Sequence, residues 1–252
     1  DEPVLLAVAE ESQALLLFSN MGRAFRLQVD DLGESELRDS GSPLGAHINF
    51  RPNEHIVALL PEGQGANVVL VSERGWVRRV RANYLSKNLI PGMSFHNPKE
   101  GGALAAACWT QGNEDLFLAT AQAKGVRFAE SQVPASGVRG MRVEPGDRIV
   151  GVTAVRDDNG VFLLGANGKG TIRLMSGFSA NKAPGAGGKI ALKSDGLVAA
   201  FKVYPEEDIF CAARDGKVIR FQAEEIPPKT GVVQGVICMS VRADEAVAAA
   251  KS

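Results

Sequence analysis

One arrangement recurs along this chain: a glycine, a few residues, an arginine, then an apolar residue. It is written "GRAFRL" at 22–27, "GWVRRV" at 75–80, "KGVRF" at 124–128, "GKGTIRL" at 168–174 and "GKVIRF" at 216–221. The arginines are Arg26, Arg79, Arg127, Arg173 and Arg220, spaced 53, 48, 46 and 47 residues apart. A guanidinium is permanently charged and forks onto carboxylate or phosphate oxygens. A repeated arginine can therefore do two things. It can pair with a carboxylate of its own or a neighbouring unit, or it can line a surface that holds a polyanion. Further cations lie near it: Arg74, Arg78, Arg81 and Lys87, then Lys169, Lys182, Lys189 and Lys193. A column of five with that company favours the polyanion.

Other chemistries fail on inspection. "GAGGKI" is not a phosphate loop, because Ala183 and Ile190 stand where that loop needs glycine and Ser or Thr. "GANGKG" (165–170) reads as a hairpin turn, not a strand-to-helix junction. There is no GxSxG elbow. Cys108, Cys211 and Cys238 are widely spaced in apolar runs and read as buried thiols. His47, His55 and His96 have no partner at ligand spacing, so no metal, cofactor or catalytic residue is expected. Trp76 could stack on a sugar or base, although packing is the favoured reading; Trp109 reads as core. Asp157, Asp158, Glu206, Glu207 and Asp208 read as solvated loops between repeats.

The elements that must position the arginines repeat with them. Apolar runs end four residues before each turn, at 15–18, 68–71, 116–119, 161–164 and 209–212. A second column, Gly45, Gly92, Gly140, Gly188 and Gly235, is spaced 47, 48, 48 and 47. Two columns with one period give five copies of a unit of about 48 residues. The units are predicted at approximately 4–60, 67–110, 115–155, 160–204 and 207–250. Each reads as β structure, with "NG" (167–168) and "DG" (215–216) suited to tight turns at φ > 0. After the column glycine a second hairpin is predicted, turning at "RPNE" (51–54), "NPKE" (97–100), "PGD" (145–147) and "KSDG" (193–196). The Ala-rich tail at 246–250 is strand by its repeat position. Four strands per unit, five times, predicts one all-β domain over 1–252, a propeller-like disc of about five four-stranded blades. Residues on either side of each arginine are mostly apolar, so alternation predicts that the strand buries them and turns the arginine outward.

The chain has 252 residues, 45% hydrophobic and 23% charged, with 28 basic and 29 acidic residues. No apolar run suffices for a membrane span and no secretory signal is visible. It begins at Asp1 without an initiator Met, as expected of a fragment of something longer. Net charge is −1, but the distribution is uneven. Residues 1–60 carry −6, 61–110 carry +3, 156–203 carry +4 and 204–252 carry −2. Polyanion contact is therefore expected on the second and fourth repeats. The acidic loop with Asp30, Asp31, Glu34, Glu36 and Asp39 is expected to repel it.

The segments "LLLFSNMGRAFRL" (15–27), "GVRGMRVEPGDRIVGV" (137–152), "LLGANGKGTIRL" (163–174) and "DGKVIRFQAEEI" (215–226) carry a resemblance. The chain resembles the C-terminal domain of the A subunit of bacterial type IIA topoisomerases, DNA gyrase or topoisomerase IV. The resemblance runs in consistent order along essentially the whole chain. It implies a β-pinwheel whose blades exchange strands, with duplex DNA bent around a basic rim and no catalysis in this domain. It implies two partners within the parent enzyme: the DNA-cleaving region of the same polypeptide, and a separate ATPase subunit. The place implied is the cytoplasm, on the bacterial chromosome. Gyrase members carry a Gln-Arg-Arg-Gly-Gly box, which nothing here matches; "APGAGGKI" (183–190) lacks the arginine pair. They commonly have six blades, against five counted here. Gyrase and topoisomerase IV both remain open.

Two readings of other classes compete. A propeller that reads a protein partner through its top face would show negligible DNA affinity. An enzyme would need polar groups converging on the central channel, where the inner runs are Leu, Val, Phe and Ala.

Overall fold

The structure is a computed structural model that describes residues 4–34, 36, 41–194 and 196–252. Asp39 and Asp195 lie outside the described residues. The chain is all-β, and its long strands come in hairpin pairs, each followed later by a third strand. The first blade has β1 (Ala14–Ser19), β2 (Arg23–Gln28) and β3 (Ile56–Pro61). The second has β4 (Asn67–Ser72) and β5 (Trp76–Arg81); a short β6 (Met93–Ser94) precedes its inner strand β7 (Leu104–Thr110). The third has β8 (Asp115–Thr120) and β9 (Lys124–Ala129), short β10 (Val138–Arg139) and β11 (Met141–Arg142), and inner β12 (Ile149–Val155). The fourth has β13 (Gly160–Gly165) and β14 (Lys169–Leu174), short β15 (Ala186–Gly187) and β16 (Lys189–Ile190), and inner β17 (Leu197–Val203). The fifth has β18 (Asp208–Ala213), β19 (Val218–Gln222), short β20 (Val236–Ile237) and β21 (Ala246–Lys251), formed by the Ala-rich tail.

The sheet orders are β3-β1-β2-β6, β10-β5-β4-β7, β12-β8-β9-β16, β17-β13-β14-β20 and the three-stranded β19-β18-β21. The predicted second hairpin is not one. Its short arm leaves to become the outermost strand of the preceding blade, and its long arm returns as the inner strand of its own. Each hairpin offers two free edges; its own inner strand pairs one and, in the first four blades, the exchanged strand pairs the other and ties neighbours together. The glycines just before the exchanged strands are Gly92, Gly137, Gly188 and Gly235. Gly137, at φ 88°, thus takes the column place expected of Gly140.

The core is divided between blades. Leu16, Phe18, Val68 and Leu70 fill the first interface; Val71, Leu116, Leu118 and Phe128 the second. Phe117, Leu163 and Phe178 fill the third, and Phe162, Ile209 and Cys211 the fourth. A single hairpin has too little apolar surface to stand alone, so stability resides in these shared layers. Trp109 packs at the first interface and its Nε1 donates to the Pro61 carbonyl at 2.7 Å. Burial pushes the Cys211 and Cys238 thiols up to about 12 and about 11, far from reactivity at neutral pH. Inner strands of successive blades pack side by side, β3 on β7, β7 on β12, β12 on β17 and β17 on β21.

Candidate nucleic-acid interface

The hairpin registers decide where each arginine points. The first pair beyond each turn is Phe18↔Ala24, Val71↔Val77, Ala119↔Gly125, Leu164↔Gly170 and Ala212↔Val218. Two residues further along the second strand stand Arg26, Arg79, Arg127, Ile172 and Arg220. Arg173 is one residue out of step. It occupies the place held by Leu27, Val80, Phe128 and Phe221, and a one-residue shift puts a side chain on the opposite face.

The aligned arginines do not point into solvent as expected. In the first three blades carboxylates hold them instead: Glu62 and Asp115 belong to the arginine's own blade, and Glu130 to the next. Arg26 pairs with Glu62 through Nη2 at 2.7 Å, and that hydrogen bond raises its pKa. Arg127 is 4% exposed and holds Asp115 at 2.8 Å and Asp157 at 2.7 Å. It also donates to the carbonyls of Met175 and Phe178 in the fourth blade. Arg79 lies 3.8 Å from the fully buried Glu130. Arg220, in the last blade, is exposed and pairs with Asp208 of its own sheet. The carboxylate-pairing alternative thus describes four of the five. Arg173 is 5% exposed and has no carboxylate among the described residues. Its guanidinium lies 5.8 Å from the Phe178 ring, with Nε and Nη1 unpartnered, and burial lowers its pKa.

The remaining expected residues are exposed or half-buried. Arg81, Lys87, Lys182, Lys189 and Lys193 are exposed, and Arg78 and Lys169 are half-buried. Arg78 and Arg81 have no ion pair among the described residues. Arg74 is exposed, with Glu73 3.8 Å away. Lys189 lies on the exchanged strand β16, at the outer edge of the third blade. Exposed Arg139 occupies the matching outer strand β10 of the second blade. Arg139 and Arg142 were missed in the sequence although both lie in "GVRGMRVEPGD", the segment most specific to the resemblance. With Arg74, Trp76 and Lys99 they line a cleft of about 790 Å³. Trp76 is half-buried there, and its Nε1 has no partner. The missed signal was the exchange itself: both cations follow a column glycine, and that segment becomes a rim strand.

Glu130 accepts from Thr110 at 2.8 Å, while its Oε2 has no partner. Burial raises its pKa, against the pull of Thr110 and Arg79. A raised carboxyl pKa means the folded state binds this proton more tightly than the unfolded chain. The contribution is present below the unfolded value and is lost as pH rises through the folded one. Glu130→Gln is therefore expected to flatten the fall in melting temperature as pH rises above the ordinary carboxylate range. Identical pH profiles for variant and parent would refute this.

Among the described residues no helix is long and apolar enough to cross a membrane. Nor could any group of three or more His, Cys, Asp or Glu among them hold a metal ion.

Five blades, four of them holding a strand from the next repeat, with Arg139 and Lys189 on two of those outer strands, define a propeller-like disc of the β-pinwheel kind. The family described as "DNA gyrase C-terminal domain, beta-propeller" matches residues 13–61, 114–156 and 207–252, and the chain belongs to it. It is 28% identical over 254 residues to the DNA gyrase A subunit of Salmonella typhimurium, covering 96% of this chain and 29% of that protein. It is 27% identical over 241 residues to the DNA gyrase A subunit of Staphylococcus epidermidis, covering 90% and 27%. The chain thus spans under a third of the curated relatives it matches. Among solved structures, a DNA gyrase A C-terminal domain aligns with TM-score 0.78 at 20% identity, covering 97% of this chain and 84% of that one. The C-terminal domain of a DNA topoisomerase IV aligns with TM-score 0.77 at 19% identity, covering 96% and 79%.

Proposed function

We propose that the chain is the DNA-binding and DNA-bending part of the A subunit of a type IIA topoisomerase, with no catalytic role by itself. Family membership carries this reading, and the unpaired cations on the second and fourth repeats support it. Duplex DNA would follow the outer strands, its phosphates meeting Arg78, Arg81, Arg139, Lys182, Lys189 and Lys193. Among the described residues there is no α-helix to enter a major groove, so contact is with the backbone and sequence-independent. In the parent enzyme the bent duplex would be presented for strand passage. Cleavage would lie in the rest of the same polypeptide, with ATP hydrolysis in a separate subunit. The working place would be the cytoplasm, on the chromosome.

A charge-reversal series tests the surface. Arg78→Glu with Arg81→Glu is expected to weaken duplex binding at least about tenfold and to reduce the salt slope by about 2. Arg26→Gln and Arg220→Gln should leave that slope unchanged, because their guanidiniums already hold Glu62 and Asp208. Equal losses from both pairs would show that the paired column, not the free cations, meets DNA.

A further inference from the structure

The outermost strands of the second, third and fourth blades share one register. In each, the second residue of the short strand stands opposite the residue that follows the hairpin's turn: Arg139↔Trp76, Ile190↔Lys124 and Ile237↔Lys169. Residues directly opposite in an antiparallel pair leave the same face, with Cβ atoms about 5 Å apart. Each of these blades therefore sets one cation beside one large apolar side chain, at one place on the rim. The first blade does not. Its pair is Ser94↔Arg23, and Glu54 holds Arg23.

In the third and fourth blades the apolar member is the one that stands out. Ile190 is 56% exposed and Ile237 70%, while Lys124 and Lys169 beside them are half-buried. The second blade reverses the order, with Arg139 exposed and Trp76 half-buried. An outermost strand is a sheet edge, and proteins guard such edges with charge rather than isoleucine. A lone exposed isoleucine is ordinary. Two at matching positions of adjacent blades are a repeated device, each against a lysine that has no ion pair among the described residues.

The repetition and the charge identify what covers them. A protein partner recognises a contiguous apolar patch, and these isoleucines stand on separate blades, each beside a lysine. Touching both takes a long ligand that offers an anion and an apolar surface side by side, again and again. Duplex DNA does so: phosphates line its minor groove, and base steps open there to an aliphatic side chain.

We propose that Ile190 and Ile237 are wedges. Each enters the minor groove of the bound duplex at one base step and kinks it, while Lys124 and Lys169 hold the adjoining phosphates. The inference rests on the reading of the chain as a DNA-bending domain, and adds to its backbone contacts one that reaches the bases. Bending then comes in steps at the third and fourth blades, where an isoleucine stands out. Pyrimidine–purine steps unstack most readily, so TA steps receive the wedges where the sequence offers them.

The test uses a rim-length duplex with dyes at its ends and 2-aminopurine at its TA steps, whose fluorescence rises when the base unstacks. Binding of the unaltered chain should raise both that fluorescence and the transfer between the ends. Ile190→Ser with Ile237→Ser should lose most of both rises, and each single variant about half. The salt slope of the double variant should match that of the unaltered chain, because every cation remains. Ile190→Met with Ile237→Met should keep both rises, since methionine also wedges. Transfer that rises without unstacking, or a serine variant that bends DNA fully, would mean smooth curvature; it would overturn the wedges and leave the bending function standing. If the unaltered chain binds no duplex, that function fails and the wedges fail with it. Self-association that only the serine variant loses, with unstacking unchanged, would assign the isoleucines to a second copy and overturn the stated occupant.

Discussion

Replacing Arg127 by leucine is expected to cost the fold about 3–5 kcal/mol, the range for breaking a buried ion pair from one side. The guanidinium is almost wholly enclosed between the third and fourth blades and bridges Asp115 and Asp157. Its removal leaves the Asp115 carboxylate beside apolar surface and frees two carbonyls in the segment that carries Phe178. Asp157 is already in water and Asp115 is 23% exposed, but the carbonyls cannot be solvated without opening the interface filled by Phe117 and Phe178. The double variant Arg127→Leu with Asp115→Leu should recover part of the loss, since no charge is then stranded. Urea unfolding of the set measures this. A loss under about 1 kcal/mol for Arg127→Leu would show that water reaches the pair. Arg220→Leu is the contrast: its exposed pair should matter little.

The largest effect expected in binding is that of salt. If about six phosphates are neutralised across the second and fourth repeats, affinity for a rim-length duplex falls roughly a thousandfold between 50 and 200 mM salt. Duplex length should matter as strongly. A 40–90° bend over 20–30 bp costs on the order of 1–6 kcal/mol. One patch of cations cannot offset that, but contacts on successive outer strands can, because each blade turns its edge to a new direction. Duplexes reaching a single blade should therefore bind weakly, and affinity should climb with length until the rim is covered. Fluorescence transfer between the ends of a rim-length duplex should rise on binding. Ligating a nicked plasmid in the protein's presence should shift its linking number if the path around the disc is chiral. Unchanged transfer with tight binding would refute bending. Bending without a linking change would fit a role in positioning DNA rather than in wrapping it with fixed handedness.

Much of the architecture is legible in the residues because local chemistry writes it. Alternating apolar residues and turn glycines mark each hairpin, and Gly168 and Gly216 do take positive φ. The tail at 246–250 could be assigned against its helix propensity because a repeat position outweighs the preference of single residues. The arginines misled where spacing stood in for register. "GKGTIRL" and "GKVIRF" look alike, yet the first carries one more residue between turn and arginine, so Arg173 lies on the face opposite to Arg220.

The sequence by itself determined the period, the all-β class, the number of blades and the repeats on which positive charge accumulates. Each depends on neighbours within a few residues, or on a column that recurs. Only the tertiary structure decided what the recurring arginine faces. Alternation says that a side chain leaves one side of a strand, and in a single sheet that side is water. Once blades stack, the same side is closed off: Arg79 meets Glu130 of the next blade, Arg127 meets Asp115 of its own sheet and two carbonyls of the next blade, and Arg26 meets Glu62 at the end of its own inner strand. The destination of each short strand was hidden for the same reason. Two residues such as Lys189 and Ile190 carry no pairing signal of their own. Their partner is fixed by which free edge lies within reach after the chain has turned, and that edge belongs to another repeat.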